Sequence, residues 1–369
     1  MSTSAARRQR WAATMVGHGA GLVSAHADSH ATIATGTPVG RAEREAFEAA
    51  TLRPGATLSH GAGERLHPEE PDPERTCFER DRDRIVHSTA FRRLAGKTQA
   101  VVYPRDHQRT RLTHALEVAQ IARSVAAGVG ANVTLADAIA LGHDCGHGPG
   151  GHAAEEAFDK FLPAGFDHGP WGADTALASL NLTVQTLDGI RNHSWSRPAP
   201  ATIEGEIVSW ADRIGYCAHD LEDSIAAGIV KVSDIPAAVA EVCGVRRSEQ
   251  LRTFIGALVA TTCATGRVAL DAETAGALAA LRQFNYERIY TRPESLQQWQ
   301  AVVTVLQALV EHYVAHPDDM PEAHRCEADP VRSAVTYVAG MTDRFAFEQA
   351  VQLLGWEWDR LPRGIGHGA

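Results

Sequence analysis

The sequence predicts an all-α protein, and three observations carry that expectation. From Thr76 onward apolar residues recur at helical spacing, as in Thr134–Leu141, Arg109–Arg123 and Ile203–Ile225. Strand signals are few: Val101-Val102, ahead of Tyr103-Pro104, is the one apolar pair worth noting. Glycine and proline are concentrated in Gly55–Glu74 and Gly142–His152, which read as connecting segments.

The chain has 369 residues, enough for a substantial core in one large domain or two. A hydrophobic content of 44% with 22% charged residues is that of an ordinary globular protein. The net charge of −10 argues against an overall basic nucleic-acid binder and leaves only a local basic patch open. Its six cysteines show no C-x-x-C pair, which suits a reducing compartment better than a disulfide scaffold. No run approaches the roughly 18 apolar residues of a membrane span. The stretch after Arg7, Arg8 and Arg10 is too often broken by Gly and His to read as a signal peptide, so a cytoplasmic location is expected.

In chain order, residues 1–75 read as a partly irregular extension with a short helix near Ala42–Ala50. Residues 76–230 read as the core, and 231–369 as helices packed on it. Phe78–Leu94 reads as a charged amphipathic helix, solvated in the simplest view. Its Arg82, Arg84, Arg92 and Arg93 are nonetheless dense enough to meet an anion. Gly96-Lys97-Thr98-Gln99 lacks the upstream glycine of a P-loop. In Arg109–Arg123, His114 lies three residues after Arg111 and three before Glu117, on one helix face. A single histidine at such a place is more often packed than ligating, and gains weight only if a metal partner exists elsewhere.

GHDCGHGPGGH (142–152) brings His143, Asp144, His147 and His152 into eleven residues. Its glycines and Pro149 exclude regular structure throughout. His143-Asp144 falls at the end of a helix, and offers imidazole nitrogen and carboxylate oxygen to one ion. Helix-end capping explains one histidine more easily than four ligand-type side chains. Further on, Asp212, Tyr216 and Asp220 at i, i+4 and i+8 line one helical stripe. An Asp facing a core is costly unless paired or bound to a cation.

His114, then His143-Asp144, then Asp212 resembles the H…HD…D signature of the HD-domain metal-dependent phosphohydrolases. RDRDRIVHSTAFRRLAGKTQ (80–99), RTRLTH (109–114), HDCGHGPGGHAAEEAF (143–158), LNLTVQTLDGI (180–190) and YVAGMTDRFA (337–346) are similar to dGTPase-type deoxynucleoside triphosphate triphosphohydrolases. The resemblance runs from about Thr76 to about Ala350. It implies an all-α HD-domain helical bundle with additional C-terminal helices, and one divalent metal held by His114, His143, Asp144 and Asp212. It implies hydrolysis of a dNTP to deoxynucleoside and inorganic tripolyphosphate by water attack at the α-phosphorus. His152 and Glu155 match the family's proton-transfer pair. His147 matches a position facing the phosphates, and His168 a further active-site histidine. Gln99 and Asp220 match contacts to the sugar 3′-OH, Tyr216 a ring beside the deoxyribose, and Arg111 a phosphate contact. Asp343 and Arg344 belong to a family motif without an assigned contact.

The chain departs from the family's pattern at Cys145, Gly150, Arg213 and Gly169-Pro170-Trp171, none of which removes a metal ligand. Two His and two Asp form a mixed N/O set that suits Mn²⁺, Fe²⁺ or Co²⁺ better than Mg²⁺, which stays possible. The C-terminal helices are expected to complete the pocket and an oligomer interface. Two other readings stay open. One is an HD phosphohydrolase acting on nucleoside monophosphates or another phosphoester. The other is a non-catalytic regulator binding dNTPs or a single strand, against which an intact His152 and Glu155 argue.

Overall fold

A computed structural model describes residues 3–13, 23–26, 28–100 and 108–362. Val101-Val102 lies outside the described residues. Within them the chain is helical, and the only β-type pairings are isolated bridges. Contacts divide the chain into residues 1–39, which contain helix α1 (Thr3–Ala13), and residues 40–369. Every later helix belongs to the second unit.

α2 (Arg41–Thr51) buries none of its residues, in keeping with its charged sequence. The charged stretch after Thr76 is two helices rather than one: α3 (Cys77–His87) and α4 (Thr89–Arg93). Ser88 divides them, because its hydroxyl accepts the Phe91 N–H and starts a new helix. α5 (Arg111–Val129) and α6 (Val133–Gly142) form the centre. In α6 every residue from Leu135 to Gly142 is buried, as expected of a helix apolar all round. It packs against α3, α5, α9 (Val184–Asn192) and α10 (Ile203–Ala226), after the short α7 (Ala153–Asp159) and α8 (His168–Trp171). Then come α11 (Ala237–Cys243), α12 (Arg247–Thr265) and α13 (Ala272–Asn285). α14 (Pro293–Ala315), α15 (Pro330–Ala339) and α16 (Asp343–Leu354) complete the unit.

Two apolar cores result. The larger gathers residues of α3, α5, α6 and α10 to α13. The smaller joins α7 and α8 to α14, α15 and α16. The polar corner 143–152 leaves the first core at Cys145 and enters the second at Ala153. Each core buries its own apolar surface, so the seam between them is where polar groups can gather without opening either.

Candidate active site

A cavity of about 380 Å³ occupies that seam. It is within the size range of small-ligand sites. His143 caps the C-terminus of α6. Its Nδ1 lies 2.6 Å from the Ala140 carbonyl, so Nδ1–H donates there and Nε2 keeps its lone pair. Around that nitrogen stand Asp144 Oδ1 at 3.4 Å and Asp212 Oδ1 at 3.6 Å. His114 Nε2, from α5, is 3.0 Å from the same Asp212 oxygen. Ligand atoms about 2.1 Å from one ion and set at tetrahedral to octahedral angles lie about 3.0–3.5 Å apart. His143 Nε2 is buried with no hydrogen-bond partner. A buried lone pair facing two carboxylates calls for positive charge. His114, His143 and Asp212 bring ligand atoms within 4.8 Å of one another, as do His143, Asp144 and His193, so the corner offers donors for a cation.

The local field says the same. Burial pulls the His143 pKa down, but Asp144 and Asp212 outweigh it and hold it up to about 9, so Nε2 takes a proton unless a cation occupies its lone pair. Burial would raise Asp144, yet Arg111, His143 and His147 hold it well below the usual carboxylate range. Arg111 Nη1 sits 2.8 Å from Asp144 Oδ2.

A second cluster adjoins the first. His147 stacks on His168 with ring centroids 3.8 Å apart, and His147 Nε2 is 3.2 Å from Asp144 Oδ1. Glu155 Oε1 is 2.5 Å from His168 Nδ1 but 3.5 Å from His152 Nδ1, so its first partner is His168. His193 commits Nδ1–H to the Ile190 carbonyl at 2.8 Å, and its Nε2 meets His168 Nε2 at 3.1 Å. Both nitrogens of His168 are thereby cast as donors, one to a carboxylate and one to a lone pair. His152 is the exposed member, with 55% of its side-chain surface open.

Asp212, Tyr216 and Asp220 all face the cavity from α10, and Gln99 faces it from the segment before α5. Tyr290 donates to Asp220 Oδ2 at 2.5 Å, while Arg282 Nε donates to the Tyr216 hydroxyl at 2.9 Å. Burial pushes Asp220 up to about 6. Arg213 stacks over Trp195, its guanidinium carbon 3.3 Å from the ring centre. Among the described residues, neither Arg213 nor Arg282 has a carboxylate within ion-pair distance. Other charged residues are committed elsewhere: Glu117 to Arg109, Arg84 to Glu69, and Arg82 to Asp83.

Residues 111–216 match the HD domain family, and residues 268–352 match the phosphohydrolase-associated domain. A deoxyguanosinetriphosphate triphosphohydrolase-like protein of Clostridium perfringens strain 13 is 40% identical over 320 residues, covering 82% of this chain and 93% of that protein. One of Caldanaerobacter subterraneus is 37% identical over 312 residues, covering 82% of this chain and 92% of that one. The chain belongs to the dGTP triphosphohydrolase-like HD family. A solved phosphohydrolase of Bacteroides thetaiotaomicron is similar at 15% identity and a TM-score of 0.45, over 73% of this chain and 67% of that one.

His114 lies on α5, His143-Asp144 just beyond the C-terminal end of α6, and Asp212 on α10. Part of the cavity wall was not foreseen. His193, Arg282, Tyr286 and Tyr290 are isolated residues in stretches that read simply as helix. The signal available for Tyr290 was the cluster Tyr286-Glu287-Arg288-Ile289-Tyr290, aromatic and charged at once, where an ordinary core helix is apolar.

Proposed function

We propose that this chain hydrolyses deoxynucleoside triphosphates to deoxynucleoside and inorganic tripolyphosphate. The observation that supports it best is the convergence in one cavity of three unlike groups. These are His114, Asp144 and Asp212 of the His/Asp set, the histidines His147, His152 and His168, and the polar stripe of Gln99, Tyr216 and Asp220. Arg213 and Arg282, without carboxylate partners among the described residues, offer charge for a polyphosphate, more than a single phosphate monoester requires.

A divalent ion held by His114, His143, Asp144 and Asp212 would neutralise phosphate charge and acidify the attacking water. The remaining work falls to side chains. Water adds to the α-phosphorus and gives up a proton to solvent, the P–O5′ bond breaks, and O5′ takes up a proton. His152, oriented by Glu155, supplies that proton, while His168 and His147 face the phosphoryl oxygens. Arg111 neutralises Asp144 and borders the phosphates. Gln99 and Asp220 accept or donate at the 3′-OH, and the Tyr216 ring takes the space of a 2′-OH. A regulator that only binds nucleotides has no use for the Glu155 network.

The test is to incubate the protein with each dNTP and with Mn²⁺, Fe²⁺, Co²⁺ or Mg²⁺, resolving nucleoside and tripolyphosphate. GTP and 2′,3′-dideoxy-GTP are run beside dGTP. Equimolar deoxynucleoside and tripolyphosphate are expected, with the dideoxy analogue slower by about 10²-fold or more. Tyr216→Ala should relax rejection of GTP. Equal kcat/KM for all three would sink the sugar reading, and orthophosphate from a monophosphate alone would favour a phosphomonoesterase.

A further inference from the structure

Asp343 and Lys97 do not line the cavity, yet they hold together two segments that do. Asp343 opens α16 and is 5% exposed. Its Oδ2 accepts the Thr98 N–H at 2.9 Å and the Thr98 hydroxyl at 2.5 Å. Its Oδ1 accepts the Gly150 N–H at 2.8 Å. Lys97, 3% exposed, donates from Nζ to the His147 carbonyl, and at 3.0 Å to the carbonyl of Ala339, which ends α15. The α15–α16 corner thus grips Lys97-Thr98, from which Gln99 projects. It also grips 147–150, which carries His147 and leads to His152. Thr98 in turn bridges Thr110, next to Arg111.

These bonds form a closed set among buried groups. A buried carboxylate or ammonium left half-paired costs several times the net worth of an ordinary hydrogen bond. The corner therefore defines one spacing between the two segments and resists others. It belongs to the phosphohydrolase-associated region, residues 268–352, whereas every proposed metal ligand lies before it.

We propose that Asp343, together with Lys97, is a positioning residue: it sets the distance between Gln99 and the His147–His152 turn. In doing so it places the sugar relative to the proton-transfer histidines. The inference rests on the dNTP reading above for what those side chains touch. A purely structural Asp343 would lower stability and leave the rate per folded molecule unchanged. A positioning Asp343 changes that rate, because a misplacement of about 1 Å costs about 10²-fold.

The experiment uses full-length Asp343→Asn, which keeps size but cannot accept all three bonds, and Thr98→Val, which removes only the hydroxyl. Metal content, kcat and KM for dGTP, and residue-resolved amide exchange are measured per folded chain. The expected result is wild-type metal content with kcat lower by about 10- to 100-fold in Asp343→Asn. KM should change less. Faster exchange should be confined to 98–99 and 147–151. Thr98→Val should show the same pattern, smaller. Unchanged kcat in the folded variants, or metal lost in step with activity, overturns the proposal. Should the wild type turn over no dNTP, the functional reading fails by itself. The exchange measurement then tests the spacing alone: unchanged exchange at those residues ends the proposal.

Discussion

Asp212 joins both histidines of the cation set, with one oxygen 3.0 Å from His114 and 3.6 Å from His143. Removing it leaves two imidazoles without their shared carboxylate. Asp212→Ala should therefore lose metal and activity together, and elemental analysis checks this; full occupancy in the variant would break the assignment. Asp220, two turns further along α10, carries a different burden. Burial raises its pKa to about 6, against an ordinary value near 3.8. The folded protein thus binds a proton more tightly than the unfolded chain. Stability from this group falls as pH rises from about 4 through 6, with a full cost on the order of 3 kcal/mol above that. Asp220→Asn keeps an acceptor for Tyr290 and removes the buried charge. Its melting temperature should exceed wild type at pH 7–8, with the difference vanishing near pH 4, while kcat/KM for dNTP falls. A variant less stable than wild type at pH 8 would show that the carboxylate is better compensated than its burial implies.

The turn 143–152 depends on glycine at the two places where other chain approaches it most closely. A Cβ on Gly146 would lie 2.0 Å from the His168 carbonyl oxygen and 2.4 Å from the Gly172 nitrogen, both backbone atoms. A Cβ on Gly150, where φ is +73°, would lie 2.4 Å from a Val302 methyl. A side chain can shift and a backbone cannot. Gly146→Ala is therefore expected to be the worse substitution, destabilising by more than about 3 kcal/mol or preventing folding. Gly150→Ala should cost about 1–3 kcal/mol, part of which Val302→Ala recovers. Thermal melts of the three variants decide it, and equal losses at Gly146 and Gly150 would contradict the account. The turn was legible in the sequence because its chemistry is contiguous: His, Asp and glycine in one short run admit few other readings. The break at Ser88 was less visible, since a capping hydroxyl looks like any serine until the Phe91 amide meets it. Glu155 was read as the partner of His152 because three-residue spacing is visible along the chain. Its shorter contact to His168 comes from a different helix, and no local pattern encodes that.

At the scale of the molecule, helical periodicity made the all-α class legible, and the four proposed ligands could be placed because their motif is long. What periodicity does not reveal is which face of a later helix turns inward. α14 reads as an apolar helix of the C-terminal region, yet it packs on α7, α15 and α16 and brings Trp299 and Val302 to the cavity. The same blindness hid Arg282 and Tyr290. The overall charge of −10 was equally uninformative about the site, where Arg111, Arg213 and Arg282 gather against it. Among the described residues no helix is long and apolar enough to cross a membrane. Water attack at the α-phosphorus of a dNTP is tested by turnover of dGTP in ¹⁸O-labelled water with mass analysis of both products. One ¹⁸O in each tripolyphosphate and none in deoxyguanosine is expected; label in the deoxyguanosine 5′-OH, or in orthophosphate released beside a diphosphate, would rule that attack out.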